Sequence, residues 1–167
     1  PSVTFSSGTG TTATANLSSL SLGADTTLGG SGDTAIQCGI SGAFALTKSG
    51  AGKVTLSGAC THTGGTNLAA GTLALGASNV LPTNAVTIGA ATLDAGAFTD
   101  ATGTLDVTTA TSTIRLSPGA ALSFADSSAI DWTGGTLNLT GTFVSGSSLR
   151  FGTSASALTP TQLAKIT

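Results

Sequence analysis

Residues 44–76 read FALTKSGAGKVTLSGACTHTGGTNLAAGTLALG. Apolar side chains stand two apart in short runs here: Phe44/Leu46, Val54/Leu56 and Leu73/Leu75, bracketing Ala45, Thr55 and Ala74. Alternation of period two predicts short strands with one buried face. Glycines at 50, 52, 58, 64, 65, 71 and 76 fall between the runs and predict turns. The same doublets continue on both sides. Val3/Phe5, Leu20/Leu22 and Ile36/Cys38/Ile40 precede the stretch. Val86/Ile88, Leu105/Val107, Ile114/Leu116, Leu122/Phe124, Ile130/Trp132, Leu137/Leu139 and Leu149/Phe151 follow it. From Leu105 onward they recur about every 7–9 residues, too close for a βαβ unit, whose crossover needs about a dozen or more.

Many short strands fit a sandwich, a barrel or a solenoid. Composition favours the solenoid. Of 167 residues 24 are Gly, only 4% are aromatic and 7% charged. Small side chains suit narrow coils stacked in register, whereas a sandwich of this size carries more aromatics and more exposed charge. Three strands plus turns make a coil of about 20–25 residues, so the chain holds roughly seven coils at about 4.8 Å each, a rod near 35 Å. Each coil buries its face only against its neighbours. The length suits one domain over 1–167.

Five cations against seven acids, all Asp, leave no basic footprint for nucleic acid. A hydrophobic fraction of 40% and a net charge of −2 argue against disorder. Helical bundles need Glu, Lys, Arg and Leu in quantity, and these are scarce here. No apolar run approaches the ~20 residues of a membrane helix, so no membrane insertion is expected. The start at Pro1 without a secretory signal reads as a mature form or an excised piece. Net charge near zero favours association.

The residues also carry a family resemblance. Leu46-Thr47-Lys48, Gly50, Gly52, Leu56, Gly58, Thr63-Gly64-Gly65-Thr66 and Gly71-Thr72-Leu73 resemble the autotransporter-associated β-strand repeat of bacterial surface proteins. Cys60 and His62 stand where that repeat has Asn and Tyr. Trp132 to Asn138, Leu149 to Thr153 and Leu158 to Ala164 resemble the segment that often follows the repeat. Residues 44–158 thus read as repeat coils and 1–43 as atypical N-terminal strands. The resemblance implies a right-handed parallel β-helix, export, and an extracellular or cell-surface location. It implies no particular activity.

Export brings an oxidising environment. Cys38 and Cys60 are 22 residues apart, about one coil, so a disulfide between them is expected. At the other end, Thr159 reads as an N-cap, Pro160 as the first helical residue and Gln162 as the partner in a capping box. Leu158 and Leu163 have the spacing of a hydrophobic staple. A helix over 160–166, within a helical cap at 159–167, is predicted to cover the last coil's open edge.

No catalytic, cofactor or metal site is predicted. His62 lacks a motif partner for general-base work, and one His with two Cys at this spacing is a poor metal set. Gly29-Gly30-Ser31-Gly32-Asp33 is one residue short of a calcium-repeat motif and occurs once. Asp25, Asp33, Asp94, Asp100, Asp106, Asp126 and Asp131 read as turn formers, and Trp132 as core or end-cap packing. Asn16 and Asn138 lie in sequons. The expected function is a self-associating structural subunit of an extracellular fibre, its partners copies of itself. Val3, Thr4 and Phe5 are the candidate strand that one subunit lends another. The alternatives are an adhesin or stalk module that binds glycan or host protein, and ice binding, which needs regular T-x-T ranks.

Overall fold

The computed structural model describes residues 2–4, 12–15, 17–144 and 147–167. They form a β-solenoid of about six turns whose strand pairs are all parallel. Strands are numbered in chain order. The first rung holds β1 (Ser2–Thr4), β2 (Thr12–Ala15) and β3 (Leu20–Ser21), and the second β4 (Thr26–Gly29), β5 (Asp33–Ile36) and β6 (Ile40–Ser41). Then come β7 (Leu46–Lys48) and β8 (Lys53–Leu56), followed by the long β9 (Thr66–Leu75) and β10 (Val86–Asp94), each of which serves two faces. β11 (Thr99–Ala101), β12 (Leu105–Val107), β13 (Ser112–Leu116), β14 (Ala121–Phe124), β15 (Leu137–Gly141) and β16 (Leu149–Phe151) complete the strands, and α1 (Pro160–Leu163) follows.

Stacking repeats every 20 residues through the middle. Leu28 lies beside Lys48, Lys48 beside Leu68, and Leu68 beside Ile88. On the second face Val54, Leu73, Leu93, Ile114 and Leu139 form one inward column. All but Leu139 are fully buried. Each such aliphatic contributes about 1.5–3 kcal/mol when withdrawn from water. The outward residues of the first face are Thr27, Thr47, Asn67, Thr87 and Asp106, one per rung. Asn67 and Asp106 interrupt the threonines, so this column is not a T-x-T array.

The 20-residue period corrects the expected disulfide. Cys38 and Cys60 are separate, buried, free thiols. A spacing of 22 overshoots the period by two. The residue above Cys38 is Gly58, where an added Cβ would sit 2.2 Å from the Cys38 carbonyl carbon. The Thr61 N–H donates to the Ile40 carbonyl, so Cys60 belongs to the next inward position along the face.

Within residues 1–43 the strands continue the same ladders. Val3 and Thr4 pair with Leu28 and Gly29 of their own chain. Phe5 lies outside the described residues, as does Asn16.

Toward the C-terminus the rungs lengthen. Leu122 pairs with Leu149, and Leu137 with Ile166. The extra residues close the end of the rod. Trp132, 1% exposed, donates its Nε1–H to the Leu105 carbonyl at 3.0 Å, and its ring packs 6.2 Å from Phe151, which stacks on Phe124. Thr159 caps α1, with the Gln162 N–H donating to Thr159 Oγ1 and the Thr159 N–H to Gln162 Oε1. Gln162 Nε2 reaches the Ser127 and Ile130 carbonyls at 2.8 Å. The helix stops at Leu163 rather than 166, because Lys165 and Thr167 exchange backbone hydrogen bonds with Leu137 and Leu139 of β15. A strand ladder offers those groups better partners than a frayed last turn. Leu158 is buried while Leu163 is 53% exposed, so the two do not share the buried surface a staple requires.

Candidate functional site

The inward phase of the strands holds several polar groups, and any chemistry must start from them. Lys48 follows Leu46 by two on β7, so the alternation turns its side chain into the rod. It is 2% exposed, in a column with Leu28, Leu68 and Ile88. Its ammonium donates to the carbonyls of Ser49 (2.8 Å), Gly50 (2.9 Å) and Ala70 (3.1 Å). Burial lowers its pKa. Gly50 and Gly71 keep this carbonyl cage open. Both have positive φ, and a Cβ on Gly71 would lie 2.3 Å from the Gly50 oxygen and 2.7 Å from Lys48 Nζ.

Asp100 is the acidic counterpart. It points inward from β11, is 1% exposed, and accepts the N–H groups of Val80 (2.8 Å), Leu81 (3.0 Å) and Ala101 (2.9 Å). Burial raises its pKa against the opposing pull of these bonds. It is a core residue that ties one rung to another rather than a turn former. Asp25 and Asp33 do similar work at the surface, each accepting a backbone N–H from the residue 20 ahead, Ala45 and Lys53. Asp33 thus belongs to an inter-rung bond, which gives the glycine-rich turn before it a structural reading. Asp94 pairs with Arg115 at 2.9 Å on the exposed second face.

Cys60, His62 and Asn84 line a cleft of about 320 Å³ with Thr61, Thr63, Leu81, Pro82 and Thr83. His62 is 1% exposed and its Nε2 lies 3.0 Å from Thr66 Oγ1. Burial lowers its pKa, with the Gly65 carbonyl opposing. Asn84 Nδ2 donates to the His62 carbonyl at 2.6 Å. His62 Nδ1 and Asn84 Oδ1 lack hydrogen-bond partners, but both atoms are sealed from solvent. A molecule in the cleft meets the threonines instead. The Cys60 thiol points to the Gly58 carbonyl at 3.5 Å, and burial raises its pKa. Cys60 therefore stays a thiol rather than a thiolate, and the trio lacks an activated nucleophile.

Among the described residues no group of three or more His, Cys, Asp or Glu is placed to hold a metal. No helix there is long and apolar enough to cross a membrane. The Asn138 amide is engaged, donating to Ala110 and Ser112 carbonyls and accepting from Thr167.

Sequence reasoning missed Lys48 and Asp100 as core groups. Their signal was phase: each stands at an inward position.

Residues 46–75 match the family model of the passenger-associated-transport-repeat. No match is found among curated proteins or among solved structures.

Proposed function

We propose that this chain, an autotransporter-associated β-strand repeat protein, is a structural passenger segment of a surface or secreted bacterial protein: a rod that associates with copies of itself, without catalysis or cofactor. The observation that carries this reading is the 11-stranded parallel sheet, with the interior charges of Lys48 and Asp100 committed to the chain's own backbone. A structural rod needs stiffness, which follows from rungs in register, and a surface low in charge, which follows from a chain with 7% charged residues.

Contact between copies is assigned to the N-terminal end. Among the described residues β1, β2 and β3 each pair on one side only. Such edges accept another strand. Exchange of Val3, Thr4 and Phe5, with β1 leaving β4 for a neighbour's edge, is the version that extends into a fibre.

Light scattering after size exclusion, with negative-stain imaging, tests this on the full chain and on a variant lacking residues 1–15. The full chain should run as a multimer, and the variant, without the strand to lend, should form nothing longer than a dimer. A monomeric full chain would refute self-association, and unchanged long multimers of the variant would refute strand donation by residues 3–5.

A further inference from the structure

The third face carries a feature that a purely structural rod does not need. β11, β14 and β16 stack so that Ala101, Ser123 and Arg150 form one outward column at about 4.8 Å per rung. Arg150 is exposed, and its guanidinium has no hydrogen bond or ion pair among the described residues. Arg115 contrasts with it, being paired with Asp94. The residues around Arg150 on this face are small: Ala121, Ala125, Ser123 and Gly152. The long side chain therefore stands between two shallow grooves of about 310 and 250 Å³. Both grooves are lined by Ser123 and Arg150. Thr153 and Thr102 line the first, Thr99 and Ser147 the second.

We propose that this face binds an acidic oligosaccharide, with Arg150 holding a carboxylate or sulfate group and the flanking hydroxyls of Thr99, Ser123 and Thr153 meeting the sugar's own. A guanidinium presents paired N–H donors that match an oxyanion's geometry, and an unpaired one on a chain of net charge −2 is a local departure from the prevailing sign. Thr99 and Thr153 offer hydroxyl donors and acceptors on the two sides, and Ser123, whose hydroxyl donates to the Asp100 carbonyl at 3.3 Å, offers an acceptor. Asp126, close to Gly152, is already bonded to the Ser128 N–H and hydroxyl at 3.0 and 2.7 Å.

Titration of the full chain, followed by the Arg150 Nε–H resonance and by calorimetry, tests the proposal. The probes are trigalacturonic acid, a chondroitin sulfate hexasaccharide, maltotriose and sodium sulfate. Both acidic saccharides should shift the resonance and bind, more weakly as salt rises. Sodium sulfate should bind at least tenfold more weakly, and maltotriose should leave the resonance in place. Arg150→Gln should lose at least tenfold in affinity with an unchanged thermal midpoint, since the Arg150 guanidinium makes no hydrogen bond or ion pair among the described residues. Lys53→Gln, on the second face, should bind as the parent does. Failure of both acidic saccharides to bind would overturn the proposal. So would equal binding by maltotriose or by sodium sulfate, or full affinity in Arg150→Gln.

Discussion

Replacing Lys48 with methionine removes a buried charge while keeping the volume of the side chain. Two physical arguments point in opposite directions. Burying an ammonium costs desolvation, and buried ion pairs replaced by apolar groups are often neutral or stabilising by about 1–4 kcal/mol. That result, however, applies when both partners are replaced. Here the partners are the carbonyls of Ser49, Gly50 and Ala70, which belong to the backbone and stay behind. Hydrogen bonds to a charged group are worth about 1.5–3 kcal/mol each, and a stranded buried acceptor costs about 1–3 kcal/mol. Ser49, Gly50 and Ala70 are half-buried, so water replaces part of what is lost. The balance falls on the side of the lysine, with Lys48→Met destabilising by about 2 kcal/mol, or about 4–8 °C in thermal midpoint for a chain of this length.

Calorimetry and urea denaturation measure this, and pH provides an independent arm. Because burial lowers the folded-state pKa of Lys48 below 10.5, the unfolded chain binds more protons between the two values. Parent stability should therefore rise with pH across that window, toward 10.5, and the Lys48→Met variant should lack this component. A variant as stable as the parent, with the same alkaline slope, would refute the carbonyl-cage account.

Three further outcomes follow from the same interior. His62 is held neutral by burial, so the unfolded chain takes up the proton first as pH falls below 6.5; urea midpoints should drop from neutral pH toward 5, and His62→Gln should flatten that slope. With Cys38 and Cys60 as separate thiols, reductant should leave the thermal midpoint unchanged, and mass spectrometry of the alkylated, denatured chain should find both cysteines modified without prior reduction. Trp132→Phe keeps an aromatic ring at the end of the rod but strands the Leu105 carbonyl, and denaturation should report a loss of about 1–3 kcal/mol.

The strands were legible because their signal is local. Leu46, Val54, Leu56, Leu73 and Leu75 declare period two within a few residues, and glycines mark the corners between them. The capping box of Thr159 and Gln162 is equally local. What could not be read this way depends on the distance between rungs. An approximate coil length of 20–25 residues makes the Cys38–Cys60 spacing attractive, whereas a period of 20 separates the two sulfurs by a full inward position. The aspartates show the same limit. Asp25 and Asp33 look like turn residues until the partner 20 residues ahead is known. Lys48, His62 and Asp100 all stand at inward positions and are buried, yet their polar identity argues for the surface or a turn, and the sequence alone leaves them there. Only the stacked neighbours, which bring carbonyls or N–H groups within 3.1 Å of Lys48 and Asp100, show why the interior tolerates them.

The two ends of the rod are chemically unequal, and this bears on how copies meet. At the C-terminal end Lys165–Thr167 lie along β15, while Trp132, Gln162 and α1 fill the position beyond β12. Among the described residues, a copy arriving there meets satisfied backbone on two faces and an open strand edge at β16. Head-to-tail stacking is thereby disfavoured, because a new first rung would find one ladder to join where three are needed. Two N-terminal ends brought together by a two-fold axis meet no such obstacle. Their strands would run antiparallel across the junction, and the contact closes with two copies. An extended fibre therefore requires β1 to leave its place beside β4, a rearrangement that breaks the pairing of Val3 with Leu28 and of Thr4 with Gly29. The size of the assembled species separates the routes: a dimer marks edge pairing, and longer polymers mark strand exchange.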